Sequence, residues 1–168
     1  MFPKIMQNTQ FTQFTKFSKI FPESNSEVVF KLQFDGCSKS NPGLAGAGAV
    51  LYYQNNEIWS SHLFVGEKAT NNQAEYTGLI IGLQKAVELE IKSLLVEGDS
   101  LLVINQLKGT YKCNSSNLRS LYDDANLLTQ KFDNIYFHHI FRNQNKRADE
   151  LSNIAVSNYL KNMTIIKT

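Results

Sequence analysis

Nine residues, Val28-Val29-Phe30-Lys31-Leu32-Gln33-Phe34-Asp35-Gly36, constrain this chain more than any other stretch. Phe30, Leu32 and Phe34 alternate with Lys31, Gln33 and Asp35, the period-two pattern of a half-buried strand. The strand reads as ending in a carboxylate. Asp is depleted in strands because its side chain competes for backbone hydrogen bonds and packs against little. The turn-rich stretch Cys37-Ser38-Lys39-Ser40-Asn41-Pro42-Gly43 follows at once. An Asp before Gly also opens ordinary turns, so Asp35 acquires meaning only from what the rest of the chain places beside it.

The length of 168 residues suits one domain with a tail and is short for two. With 42% apolar and 19% charged residues the chain reads as globular, and no apolar run approaches the roughly 20 residues of a spanning helix. Of 17 basic and 15 acidic residues, five basic and two acidic lie outside residues 28–160, leaving 12 and 13 within. A nucleic-acid partner would therefore meet no large basic surface, and bound cations or a local patch would have to offset phosphate charge. Cys37 and Cys113 make neither a disulfide framework nor a Cys-rich zinc site, which points to a reducing, intracellular compartment, cytoplasmic or nuclear.

Residues 1–27 read as a flexible leader. Phe11, Phe14, Phe17 and Phe21 at helical spacing leave organelle targeting as the alternative, although the segment has no Arg. Ala45–Tyr53 and Ile58–Val65 read as two further strands of an antiparallel meander. Gly43, Gly46 and Gly48 form GxxGxG before a strand, the wrong order and context for a dinucleotide fingerprint, and are better suited to close backbone approach. From Thr70 the period becomes helical, with Ala74, Leu79, Ile80, Leu83, Ala86 and Val87 on one face and Asn72 and Glu75 as a capping pair. Ser93 to Gly98 is a short apolar strand running into Asp99 and a helix over 100–107. The strand, helix, strand order predicts a parallel pair with a right-handed crossover. A loop, a helix over 118–131, a strand over 134–141, a loop over 142–146 and a helix over 147–160 follow, with 161–168 as a C-terminal tail.

Four acids fall at corresponding places: Asp35 at a strand end, Glu75 in a first helical turn, Asp99 between strand and helix, and Asp149 in the first turn of the last helix. Acids at helix starts are favoured by the dipole for structural reasons alone, by about 0.3–1 kcal/mol each. Topology gives them a second meaning, because the C-terminal ends of neighbouring parallel strands and the starts of the following helices share one sheet edge. Carboxylates gathered there raise one another's pKa, and a divalent cation resolves the conflict. Hard oxygen ligands with neither His nor Cys nearby point to Mg²⁺, with Mn²⁺ as substitute, and two such ions about 3.5–4 Å apart suit phosphodiester cleavage.

Four segments carry a resemblance. Phe34-Asp35-Gly36 with Asn41-Pro42-Gly43, Thr70-Asn71-Asn72-Gln73-Ala74-Glu75, Glu97-Gly98-Asp99-Ser100, and Arg142-Asn143-Gln144-Asn145-Lys146-Arg147-Ala148-Asp149-Glu150-Leu151 resemble, in order, the motifs of type 1 ribonuclease H. The match covers residues 28–160. It implies an α/β fold, the ribonuclease H-like five-stranded mixed sheet flanked by helices. The activity implied is two-metal-ion hydrolysis of the RNA strand of RNA–DNA hybrids, leaving 5′-phosphate and 3′-hydroxyl ends, by a monomer. By resemblance the metal ligands are Asp35, Glu75, Asp99 and Asp149, and substrate contacts fall on Gly36, Asn41, Asn72 and Gln73 near the ribose 2′-hydroxyls. Asn and Gln offer both donor and acceptor, as that hydroxyl requires.

Two departures are visible. The stretch from Lys108 to Arg119 is too short for the basic helical protrusion of many bacterial-type members, and residues 1–27 are too few for a separate hybrid-binding domain. The chain thus resembles the compact, handle-free branch. The loop before the last helix contains no His, and His138 and His139 lie in a strand with side chains on opposite faces. Arg142 matches the Arg that shorter-loop members carry near the scissile phosphate, where its planar fork offsets developing charge.

Overall fold

Alternation in the first strand produces the centre of a sheet. The computed structural model describes residues 30–166, so the reading of residues 1–27 as a leader, and Val28 and Val29, lie outside the described residues. Strand β1 (Phe30–Lys39) pairs antiparallel with β2 (Gly43–Tyr53), which pairs antiparallel with β3 (Asn56–Ala69). After helix α1 (Asn71–Glu88), strand β4 (Ser93–Gly98) lies parallel to β1 on its other side, with Lys31 opposite Leu95 and Phe34 opposite Gly98. Helices α2 (Leu101–Leu107) and α3 (Ser116–Thr129) lead to β5 (Asn134–His139), parallel to β4. A 3-10 turn, Arg142–Gln144, opens helix α4 (Lys146–Ile166). The order β3-β2-β1-β4-β5 gives the expected five-stranded mixed sheet.

Leu32 and Phe34 face α1 and the helices beyond it, in a fully buried core with Leu51, Tyr76, Leu79, Leu83, Val96 and Ile104. Burying one such side chain contributes about 1.5–3 kcal/mol. The alternate residues Gln33 and Asp35 face the opposite side, where α4 packs through Ala148 and Leu151 against Val50. Gly46 and Gly48 admit α4 at close range. A Cβ on Gly46 would stand 2.2 Å from the Ser152 carbonyl oxygen, and one on Gly48 would stand 2.5 Å from that of Ala148. These glycines thus serve the close backbone approach expected of them.

The structure moves several boundaries: β3 extends to Asn56–Ala69, α3 shifts to Ser116–Thr129 and β5 stops at His139, and three further shifts have a clear cause. Strand β1 does not end at Asp35 but runs to Lys39, because antiparallel pairing with β2 continues to Lys39–Leu44 after parallel pairing with β4 stops at Phe34–Gly98. Helix α1 is capped by Thr70, not Asn72: the Thr70 hydroxyl accepts from the Gln73 N–H at 3.2 Å, and the Gln73 side chain accepts from the Thr70 N–H at 2.8 Å. Helix α4 continues through Lys161–Ile166, where the sequence reading places a tail, since that stretch contains neither Gly nor Pro to stop it.

Candidate metal centre

The site stands where β1 and β4 stop pairing. Asp35 is one residue beyond the last parallel pair, and Asp99 is one residue beyond the end of β4. Glu75, released from capping by the Thr70–Gln73 pair, approaches from the first turns of α1. Gly36 makes that approach possible: a Cβ there would meet the Glu75 nitrogen at 2.2 Å. One carboxylate oxygen from each of Asp35, Glu75 and Asp99 lies within 4.8 Å of those from the other two.

Asp35 and Glu75 are 5% and 8% exposed, and the Glu75 Oε2 atom is buried without a hydrogen-bond partner. Burial, and then the negative charge of Asp99, pushes the Asp35 carboxyl up to about 7. Burial and the charges of Asp35 and Asp99 hold Glu75 well above the usual carboxylate range. Desolvated carboxylates at this spacing, one with an orphaned oxygen, are the donor set a hard divalent cation satisfies. The residues present therefore fit such an ion.

Asp149 lies outside this three-acid group. Its Oδ1 accepts a 2.6 Å bond from Arg142 Nη2, and its charge still contributes to raising Asp35. The Arg142 guanidinium is held more firmly protonated by that pairing. His139 is half-buried with Nε2 3.2 Å from the Asp99 carbonyl oxygen, while His138 is exposed on the other face.

A cleft of about 390 Å³ opens over the acids, lined among others by Gly36, Lys39, Asn72, Ser100, Arg142 and Asn153. Asn72 borders the cleft. Asn41 accepts through Oδ1 from the Asn71 N–H at 3.0 Å, and Asn71 accepts from the Ser38 N–H at 2.6 Å, so the two side chains tie the β1–β2 turn to the start of α1. The Gln73 oxygen is engaged in the α1 cap.

Sequence reasoning did not single out two fully buried polar residues that hold the acids. Asn145 donates to the Phe34 carbonyl at 2.8 Å and to Asp99 Oδ1 at 3.2 Å. Ser152 places its hydroxyl 3.1 Å from Asp35 Oδ2. No local pattern marked them, since Asn145 precedes α4 and Ser152 is a polar residue inside it.

The reverse transcriptase-like family model matches residues 33–155. Ribonuclease HI of Halobacterium salinarum is 39% identical over 123 residues, covering 73% of this chain and 62% of its own. The bifunctional protein Rv2228c of Mycobacterium tuberculosis is 39% identical over 127 residues, 74% of this chain, which thus spans only 35% of that relative's length. The solved N-terminal RNase H domain of Rv2228c superposes with a TM-score of 0.76 at 37% identity, covering 82% of this chain and 99% of that one. LC11-RNase H1 in complex with an RNA/DNA hybrid gives 0.73 at 32% identity, covering 78% and 99%.

The sheet order with four helices is the ribonuclease H-like α/β fold. The chain belongs to the ribonuclease H family, close to its type 1 members and in the compact form without a helical handle, since residues 108–115 between α2 and α3 contain no helix.

Proposed function

We propose that this chain is an endoribonuclease that hydrolyses the RNA strand of RNA–DNA hybrids by a two-metal-ion mechanism, leaving 5′-phosphate and 3′-hydroxyl ends. The observation that carries the reading is the group of three carboxylates within 4.8 Å, two of them buried and one with an unpartnered oxygen. The similarity to LC11-RNase H1, solved with an RNA/DNA hybrid, supports the substrate class.

Asp35, Glu75 and Asp99 would hold Mg²⁺ or Mn²⁺, with Asp149 as a fourth ligand beside them. When bound, such ions neutralise the acid cluster and stabilise the charge that develops on attacking and leaving oxygens in phosphodiester cleavage. The chain's own residues do the rest. The point where β1 and β4 stop pairing fixes Asp35 and Asp99 on rigid backbone, and α1 closes the third side with Glu75. Arg142, 75% exposed at the cleft, presents a fixed positive fork to a phosphate oxygen. Gly36 and Asn72 border the cleft. We place Asn41, Asn72 and Gln73 near the ribose 2′-hydroxyls, whose recognition separates RNA from DNA. Among the described residues no helix is long and apolar enough to cross a membrane.

The test is a metal-dependent assay on three substrates: RNA–DNA hybrid, double-stranded RNA and duplex DNA. Cleavage of the hybrid's RNA strand, lost on chelation and restored by Mg²⁺ or Mn²⁺, is the expected result. Hybrid binding without cleavage in the presence of either ion would overturn the catalytic reading.

A further inference from the structure

Ser152 is fully buried at the heart of the interface between α4 and the sheet. Its hydroxyl lies 3.1 Å from Asp35 Oδ2 and 2.9 Å from the Asp149 carbonyl oxygen. A serine has one hydrogen to give. The Asp149 carbonyl already accepts from Asn153 Nδ2 at 2.8 Å, so it does not depend on Ser152. Once ionised, as a bound cation requires, Asp35 offers the stronger acceptor, because a hydrogen bond to a carboxylate is charge-assisted.

The backbone makes this contact specific. Asp35 and Gly48 are cross-strand partners, so their side chains leave the sheet on the same face. At Gly48 there is only hydrogen, and the Ser152 nitrogen occupies the place a Cβ would contest at 2.7 Å. The carbonyl of the same serine sits over Gly46. Two missing side chains on β2 thus bring this turn of α4 close enough for a side chain as short as serine's to reach Asp35.

We propose that Ser152 is a positioning residue for Asp35: by holding Oδ2 it fixes the carboxylate rotamer, turns the remaining oxygen toward Glu75 and Asp99, and so sets the affinity of the site for a divalent cation. The inference rests on the reading of the acid cluster as a cation site. Partners that orient metal ligands matter at this level, their loss typically weakening affinity by about 10–100-fold.

Mn²⁺ titrated alone into the protein, without nucleic acid and followed by the loss of the free-ion EPR signal, tests it. S152A, which removes one oxygen from a tightly packed place, is expected to weaken Mn²⁺ binding about 10-fold. It should leave the KM for hybrid at saturating metal within about two-fold, since the serine acts through Asp35 and not on substrate. S152T, which keeps the hydroxyl, is expected to recover most of the affinity. Mn²⁺ binding by the parent with the same affinity in a folded S152A would overturn the role of Ser152 alone. Failure of the parent protein to bind Mn²⁺ would overturn the cation-site reading as well.

Discussion

Arg142 and Asp149, seven residues apart, are joined by a 2.6 Å hydrogen bond that spans the 3-10 turn and the first turn of α4. The acid engages the guanidinium and lies outside the group formed by Asp35, Glu75 and Asp99. R142A is expected to lower kcat by roughly 10–10³-fold, the upper end being what one transition-state donor supplies. R142K should recover only part of it, because an ammonium lacks the planar fork. H139A is expected to matter little. A pH–rate profile that lost a limb only in H139A would reverse the ranking.

D35N removes one of the three clustered charges. Cleavage is expected to fall more than about 100-fold, in the range typical of lost catalytic groups, while hybrid binding survives. The metal-free variant should be more stable than the parent above pH 7, by the order of 1–3 kcal/mol, because the buried repulsion is relieved. Urea unfolding in EDTA measures the second effect and steady-state kinetics the first.

The raised carboxyls predict an inverted pH dependence in the metal-free protein. Asp35 moves from 3.8 to about 7 on folding, and Glu75 also rises. Between those limits the folded chain binds protons that the unfolded chain has released. This contribution to stability is therefore present at low pH and lost as pH rises through 7. A saturating divalent cation, which binds the ionised acids, should reverse the trend. The midpoint of thermal unfolding should therefore rise more on adding Mg²⁺ at pH 8 than at pH 5.5, and equal increments at both would contradict the assignment.

G48A should act at a distance from the chemistry. Its Cβ would meet the Ala148 carbonyl oxygen at 2.5 Å and the Ser152 nitrogen at 2.7 Å, both backbone atoms with no rotamer to escape into. A loss of about 1–3 kcal/mol is expected from overpacking. Activity should fall further than stability explains, since α4 carries Asp149 and Ser152. Activity per folded molecule unchanged from the parent would show that α4 can shift without moving the site.

Much of this was legible in the residues. Alternation in Phe30–Phe34 set both faces of β1, and a strand, helix, strand order implied parallel strands, but only the structure shows that β4 inserts beside β1 and not beside β3, which brings Asp99 to Asp35. The cap of α1 was misplaced because Thr70–Gln73 and Asn72–Glu75 both satisfy the same three-residue spacing, and only the structure shows which backbone turns first. Asn145 and Ser152 escaped notice for another reason. An Asn in a loop reads as a turn former and a Ser within a helix as neutral, and nothing local says that both are completely buried.

The parallel pairing of β1 with β4 joins residues 64 positions apart, Phe34 with Gly98. A nascent chain that has completed β1, β2, β3 and α1 already owns Asp35 and Glu75, yet it lacks Asp99 until β4 is inserted and lacks Asn145 and Ser152 until α4 docks on the far face. The acid cluster is thus completed only by elements made late, and a chain ending before β4 would carry Asp35 and Glu75 without the Asp99 that closes the group.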